Sequence, residues 1–388
     1  MRMKSVEIKK LPFYWRLTHK DSKSANVVDD YYPFAFDVDS EHGLVIERRD
    51  PSVLAALNLI YQQDYNIGYL QDANEIAKPY GKDFIAYLRA ALAGNSGIKS
   101  ILEIGCGGCT VLADLKSSGY KVCGIDSSPF AAAEGSKKGI DVVTDFFPSK
   151  QLAQKFDLIF HVDVLEHIDS YVEFLKHQYE QLNDGGLLVV NVPDATESIQ
   201  LGDVSMAMHQ HVNYFTEKSL SAVLKGAGFE VISVDKAGYG GSLYATGRKS
   251  THKNSKGVSV GTEDYEAFAS RASKMIAAFD ERVDQTLSAH GRTLGFYVPL
   301  RTLPYIAQKD IYNGFRFFDD TGHWHHHVFD GVDVPIENFQ DLVRSPVTDL
   351  VIMSLTFGDV IRNKVHKEFG DRVNVTTLGD LAAKASKK

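Results

Sequence analysis

The chain has 388 residues, 44% hydrophobic and 24% charged. These are the proportions of a folded protein with material for more than one core, and they exclude a disordered or fibrous chain. A formal net charge of −8 argues against a nucleic-acid partner, whose phosphates call for a basic surface. Three cysteines are too few for a disulfide framework, no run approaches the ~20 apolar residues of a membrane span, and the first sixteen residues alternate charge and apolarity instead of forming a signal-peptide core. A cytoplasmic protein without a membrane partner is expected.

Residues 1–80 form a mixed, aromatic-rich N-terminal region with the strand-like piece GLVIE (43–47) and the tyrosine-rich run YQQDYNIGYL (61–70). A helix follows over 83–92, where Phe84, Tyr87, Leu88 and Leu92 share a face and residues 94–97 (GNSG) break the pattern. Residues 81–248 then alternate short apolar strands with amphipathic helices. The predicted strands are 100–104, 121–125, 141–144, 157–161 and 187–192. Continuous apolar strands separated by crossover helices imply a parallel sheet covered on both faces. After a helix over 217–226, the pieces 229–235 and 242–246 lie too close together for a crossover and predict an antiparallel hairpin at one sheet edge. The polar, basic, glycine- and serine-rich stretch 247–263 reads as a linker. A long helix over 264–290 carries the apolar stripe Phe268, Ala272, Met275, Phe279, Val283 and Leu287. Renewed strand–helix alternation over 293–298, 315–319, 349–354 and near Val373 makes 264–388 a second, smaller α/β domain.

The strongest local signal is ILEIGCGG, residues 101–108, where a buried strand meets a glycine-rich turn. Gly105 and Gly107 remove Cβ atoms where a ligand can lie against the backbone, with Cys106 between them. Asp126 closes the next strand, 21 positions after Gly105, where a carboxylate can accept both hydroxyls of a ribose. A dinucleotide fingerprint would continue to a third glycine, but that position holds Thr110. Glu103 is awkward beside a pyrophosphate and acceptable beside the cationic aminoacyl part of S-adenosyl-L-methionine. Asp145, followed by Phe146 and Phe147, can accept from an adenine amino group while an aromatic ring covers the base. The bland alternative is a glycine turn with a purely structural role.

In this order, E-x-G-x-G, an acid ending the second strand, D-F after the third, and FDLIFHVDVLEHI as a fourth-strand motif resemble the class I S-adenosylmethionine-dependent methyltransferases. The resemblance implies a Rossmann-like sheet and a cofactor site of Glu103, Gly105, Cys106, Gly107, Asp126, Asp145 and Phe146, with His161 on the fourth strand. The segments YQQDYNIGY, EIGCGG, GIDVVTDFFP, HQHVNYFTEKSLSAVLKGAGFEV and YGGSLY, with a second α/β domain behind them, are similar to the bacterial sugar C-methyltransferases, which act on nucleotide-linked deoxysugars. That likeness covers residues 30–370. It implies that His211 and His167 surround the acceptor sugar with a base among them, beside His209 and Tyr214. Two departures mark the acceptor segment. Gln210 stands where the family has Glu, and Met208 where it has Tyr, so acceptor chemistry shifts toward methylation of a hydroxyl. The rival readings are methylation of a non-sugar small molecule and a non-catalytic binding protein that kept the fold.

The family's N-terminal paired CxxC zinc ligands are missing. Asp39 and His42 stand where two of the thiolates would be, and two ligands without partners do not make a tetrahedral zinc site. No metal is therefore expected, and the N-terminal region is expected to pack over the acceptor pocket. Cys106 and Cys109 share a CxxC spacing inside the cofactor loop, and residues 323–327 (HWHHH) read as a surface loop. Arg301 stands near the second domain's opening strand, where the family has a lysine-bearing glycine loop, and can supply a cation to a phosphate. Arg248, Lys249, Lys253 and Lys256 read as solvated linker charge. The sequence leaves the oligomeric state open.

Overall fold

The computed structural model describes residues 6–13, 18–19, 28–62, 77–250 and 261–387. Most of the tyrosine-rich run, from residue 63 on, and Lys253 and Lys256 lie outside the described residues. Seven strands form the central sheet. Their spatial order is Phe229–Lys236, Ser242–Lys249, Leu182–Pro193, Phe156–Val162, Ser100–Ile104, Lys121–Asp126 and Asp141–Thr144. The last five are mutually parallel. In the strand Phe156–Val162 every residue but Asp157 is buried, the pattern of a strand covered on both faces. The C-terminal hairpin is antiparallel as expected. Its second strand pairs with Leu182–Pro193 and so inserts between the first and the parallel set. The architecture is that of a Rossmann-like class I methyltransferase sheet with added domains.

Local chemistry sets the turns on the carboxyl side of these strands. Gly105 leaves the strand Ser100–Ile104 with φ +72°, and Gly107 has φ +44°, left-handed values that glycine adopts without strain. The helix Thr110–Ser117 starts immediately after them. The helix Pro129–Lys138 is capped by Ser128, whose side chain accepts from the Phe130 N–H at 3.2 Å, and Pro129 holds the first helical position.

A second, antiparallel sheet comprises Val6–Pro12, Tyr31–Asp39, Leu44–Glu47 and the two-residue strand Asn213–Tyr214. The acceptor segment named from the sequence is therefore stitched into the N-terminal sheet. A third sheet has five parallel strands in the order Ile336–Glu337, Phe315–Phe318, Leu294–Tyr297, Asp349–Ile352 and Asn374–Thr377. Its order reverses between Leu294–Tyr297 and Asp349–Ile352.

The helix Glu263–Leu287 joins these parts. Tyr265, Phe268, Ala272, Met275, Phe279 and Val283 are buried in one apolar cluster with Phe34 and Phe36 of the N-terminal sheet and Phe296, Leu303 and Phe317 of the C-terminal unit. Leu287, the last member of the predicted stripe, is 47% exposed because the helix ends there. One shared core holds the outer units together, an arrangement that alternation of strand and helix alone does not reveal.

Under the third sheet, Asp349 is fully buried and accepts from Arg282 Nη2 at 2.7 Å, Arg292 Nη1 at 3.1 Å and Asn374 Nδ2 at 3.0 Å. Burial alone raises its pKa, but hydrogen bonds from Thr348 and Arg282 outweigh it and hold the carboxyl below its usual range. Replacing Asp349 with Ala strands the buried Arg282 guanidinium and is expected to destabilise the fold by about 3–5 kcal/mol, read by urea unfolding at pH 7. Because the folded pKa is depressed, this contribution is full at neutral pH. It is lost as pH falls from ~4 through the lower folded value.

Candidate active site

A cavity of about 810 Å³ opens at the carboxyl ends of the central strands. One end is lined by Glu103, Gly105, Cys106, Asp126, Asp145 and Phe146. Asp126 is buried. Its Oδ2 accepts from the Gly107 N–H at 2.9 Å and its Oδ1 from the Ser128 N–H at 2.8 Å. The acid foreseen as a ribose ligand therefore also fixes the glycine turn against the next helix. Asp145 accepts from the Ser149 hydroxyl at 2.6 Å, the larger influence, and from the Phe146 N–H at 2.9 Å, and the two hold its carboxyl low. Phe146 stands 49% exposed at the cavity rim, a ring available to cover a planar ligand. A Cβ on Gly105 would meet Val164 Cγ2 at 2.7 Å. The cradle thus fits a nucleoside with a polar, cationic end near Glu103.

The other end is lined by Glu166, His167, Met208, Gln210 and His211. Two chain segments far apart in sequence are sewn together here. The Val212 N–H donates to the Glu166 carbonyl at 2.7 Å, and Asn213 Nδ2 donates to the Leu165 and Ile168 carbonyls at 2.9 and 2.8 Å. As a result the His167 and His211 rings lie 4.9 Å apart, edge to face. His167 Nδ1 lies 2.7 Å from the Gln210 carbonyl and donates to it, which fixes the tautomer. Burial pushes His167 down to about 4 and His211 well below the imidazole range, the latter helped by His167 and Arg301, so both are neutral at pH 7. Arg49, buried at the end of the N-terminal sheet, donates to the His209 carbonyl at 3.0 Å and pairs with Asp169 at 2.9 Å, pinning this turn.

Several sequence assignments are corrected by these positions. His209 does not line the cavity. It is 1% exposed and packs against Phe13, Tyr32 and Phe34. Tyr214 likewise sits behind the wall, its ring against Phe36 and its hydroxyl 3.4 Å from the Met208 carbonyl. His161 is fully buried beside Phe174 and reaches no cavity surface, because it faces the helix layer under the sheet. Gly107 contributes through its bond to Asp126 and does not line the cavity. In the N-terminal region, Asp39 and His42 pair at 3.0 Å and share the Tyr171 hydroxyl. Hydrogen bonding links the two residues that stand in the thiolate positions. The loop expected at the surface over 323–327 instead sends Trp324 into the cavity, while His325 pairs with Asp341 at 2.8 Å.

Three residues escaped the sequence reading. Glu166 is 1% exposed, and neither carboxylate oxygen has a hydrogen-bond partner among the described residues. Its place beside His167 in the LEH triplet was the available signal. Asp163 holds φ +53°, a left-handed conformation costing about 1–2 kcal/mol in a non-glycine residue. It lines the cavity, whose enclosing walls raise its pKa to about 6. Tyr80, 3.0 Å from Asp163 Oδ1 and 2.9 Å from Asn191 Oδ1, anchors it. Leu54, Leu57 and Asn58 from the N-terminal helix and Leu300 from the C-terminal unit complete the lining, so all three units meet at the cavity.

Comparison with known proteins agrees with this geometry. Residues 63–234 match the family model described as a methyltransferase domain. A ubiquinone biosynthesis O-methyltransferase of Azorhizobium caulinodans is 25% identical over 182 residues, 42% of this chain and 69% of that protein. One of Caulobacter vibrioides is 31% identical over 26% of this chain and 43% of its own length. The C-methyltransferase NovU of Streptomyces niveus is 23% identical over 57% of this chain and 58% of its own. The chain spans between 44% and 69% of the length of the first three ubiquinone relatives. Among solved structures, the Bradyrhizobium japonicum N-methyltransferase NodS with bound S-adenosyl-L-homocysteine aligns over 49% of this chain and 96% of its own, at 18% identity and a TM-score of 0.38. Residues 63–234 are thus a methyltransferase domain.

Proposed function

We propose that the chain methylates a carbohydrate, a nucleotide-linked sugar, with the acceptor carbon or hydroxyl held by Glu166, His167 and His211. The observation that carries this reading is the single cavity joining the glycine-turn end to the His167–His211 end, with walls from the N-terminal and C-terminal units. S-adenosyl-L-methionine supplies an electrophilic methyl on a sulfonium. Glu103 would hold its cationic end, Asp126 its ribose, and Asp145 with Phe146 its base, all four residues lining the same end of the cavity. Methyl transfer needs in-line approach at close range, and most of the acceleration comes from positioning and exclusion of water. The half-buried His167–His211 pair lines the acceptor end and serves as base or orienting group for the acceptor, with His211 foremost.

The sugar class is supported by the ordered segments shared with the sugar C-methyltransferases and by the C-methyltransferase relative, which aligns over 57% of this chain. The C-terminal sheet adds a physical reason. Open parallel sheets bind ligands in the crevice where strand order reverses, here between Leu294–Tyr297 and Asp349–Ile352. The helix Pro299–Lys309 leaves that crevice, carrying Leu300 into the cavity and an exposed Arg301 close enough to shift His211. A diphosphate at Arg301 would place an attached sugar toward the His167–His211 pair. A second reading, methylation of a non-sugar hydroxyl, is favoured by the O-methyltransferase relatives. A panel of nucleotide sugars and catechol-like phenols, assayed by mass for a methyl-sized gain, separates them. Methylated nucleotide sugar is the expected product; a methylated phenol alone would replace the sugar reading with the second.

A further inference from the structure

The acceptor end holds a carboxylate and two imidazoles whose arrangement exceeds what proton removal requires. Ligand atoms of Glu166, His167 and His211 all lie within 4.8 Å of one another. Glu166 Oε1 is 3.8 Å from His167 Nε2. The Glu166 side chain is 1% exposed, and neither oxygen is hydrogen-bonded among the described residues. A buried carboxylate left so is expensive unless a cation or donor completes it. His167 Nδ1 donates to the Gln210 carbonyl, which turns the Nε2 lone pair toward Glu166. A backbone carbonyl holding the far nitrogen is the usual support of an imidazole that ligates a metal.

We infer that Glu166, His167 and His211 form a binding site for a first-row divalent transition-metal cation on the wall of the acceptor cavity. Two imidazole nitrogens and one carboxylate on one side of an ion leave its remaining positions open. Here the open side faces the cavity, where adjacent oxygens of a diol or hydroxy-ketone acceptor can complete the coordination. The hard, oxygen-rich acceptor and the nitrogen-rich protein side suit zinc, manganese or cobalt better than magnesium. The site rests on the methyl-transfer reading and specifies how the acceptor is activated. A hydroxyl bound to the cation becomes more acidic and releases its proton to water at the cavity mouth. The oxygen's electron pair then forms the O–CH₃ bond as the S–CH₃ bond breaks. With the cation bound, His211 holds the metal and does not itself take the proton.

The test uses the full chain, stripped with a chelator and titrated with Co²⁺ while its visible d–d absorption is followed, and with Zn²⁺ by calorimetry. One cation per chain is expected, with imidazole-type Co²⁺ bands. Glu166→Gln and His211→Asn, each checked for an unchanged melting temperature, should weaken binding by about a hundredfold or more, beyond the 10–100-fold typical of losing a supporting group. Absence of stoichiometric binding, or binding unaltered in both variants, overturns the site. Methyl transfer at full rate in the stripped protein overturns it too, and leaves the methyltransferase reading standing. Cation binding without methylation of any nucleotide sugar would defeat the sugar reading alone.

Discussion

His211→Ala is expected to lower the rate of methyl transfer by about a hundredfold or more while leaving S-adenosyl-L-methionine affinity within a few-fold of the unsubstituted chain. The split follows from position. His211 lines the acceptor end with Gln210 and Met208, away from the glycine turn, and its ring faces His167 at 4.9 Å. Its loss removes a side chain from the acceptor end alone and leaves the residues of the glycine-turn end in place. The neighbouring His209 provides the contrast, because it is wedged among Phe13, Tyr32 and Phe34 outside the cavity. His209→Ala should act on stability, lowering the melting temperature with turnover per folded molecule nearly retained. Steady-state kinetics on both variants, corrected for folded fraction, check the pair. Equal losses of turnover in the two would mean that the 208–214 segment acts as scaffold only.

The second large effect is expected at the other end of the cavity. Gly105→Ala places a methyl 2.7 Å from Val164 Cγ2 at a backbone φ of +72°. The left-handed conformation alone costs about 1–2 kcal/mol with a Cβ present, and relief requires moving Val164, which itself lines the cavity. Affinity for S-adenosyl-L-methionine should fall by about ten- to a hundredfold, measured by calorimetry, with the melting temperature of the ligand-free chain lowered by a few degrees. Unchanged affinity would remove the glycine turn from the cofactor site.

The central sheet was legible because its strands carry continuous apolar runs and its turns carry glycines and acids at telling places. Ile101 to Gly108, Asp126 and Asp145 each announce the end of a strand, and strand ends converge on one side of a parallel sheet. The antiparallel hairpin followed from the short spacing between Phe229–Lys236 and Ser242–Lys249. What failed to show was orientation across long range. Whether His209 or His211 enters the cavity depends on which face of a short, irregular segment meets the fourth-strand turn. That is decided by Asn213 reaching the Leu165 and Ile168 carbonyls and by Asn213–Tyr214 pairing with the strand Leu44–Glu47. Alternation cannot report such contacts. Trp324 was hidden for the same reason, since a histidine-rich loop reads as surface until the C-terminal unit is docked through the helix Glu263–Leu287. Glu166 was overlooked because a glutamate inside LEH looks like helix chemistry, and its significance lies in its burial without a hydrogen-bonding partner among the described residues.

Methyl transfer in this cavity depends on the Glu103–Asp126 crevice accepting a sulfonium nucleoside. Calorimetric titration of the full chain with S-adenosyl-L-methionine, run beside NADH as the pyrophosphate-bearing competitor, measures that directly. One molecule bound per chain at micromolar affinity, with no heat from NADH, is the expected result. Saturable binding of NADH with none of S-adenosyl-L-methionine up to millimolar concentration would contradict it.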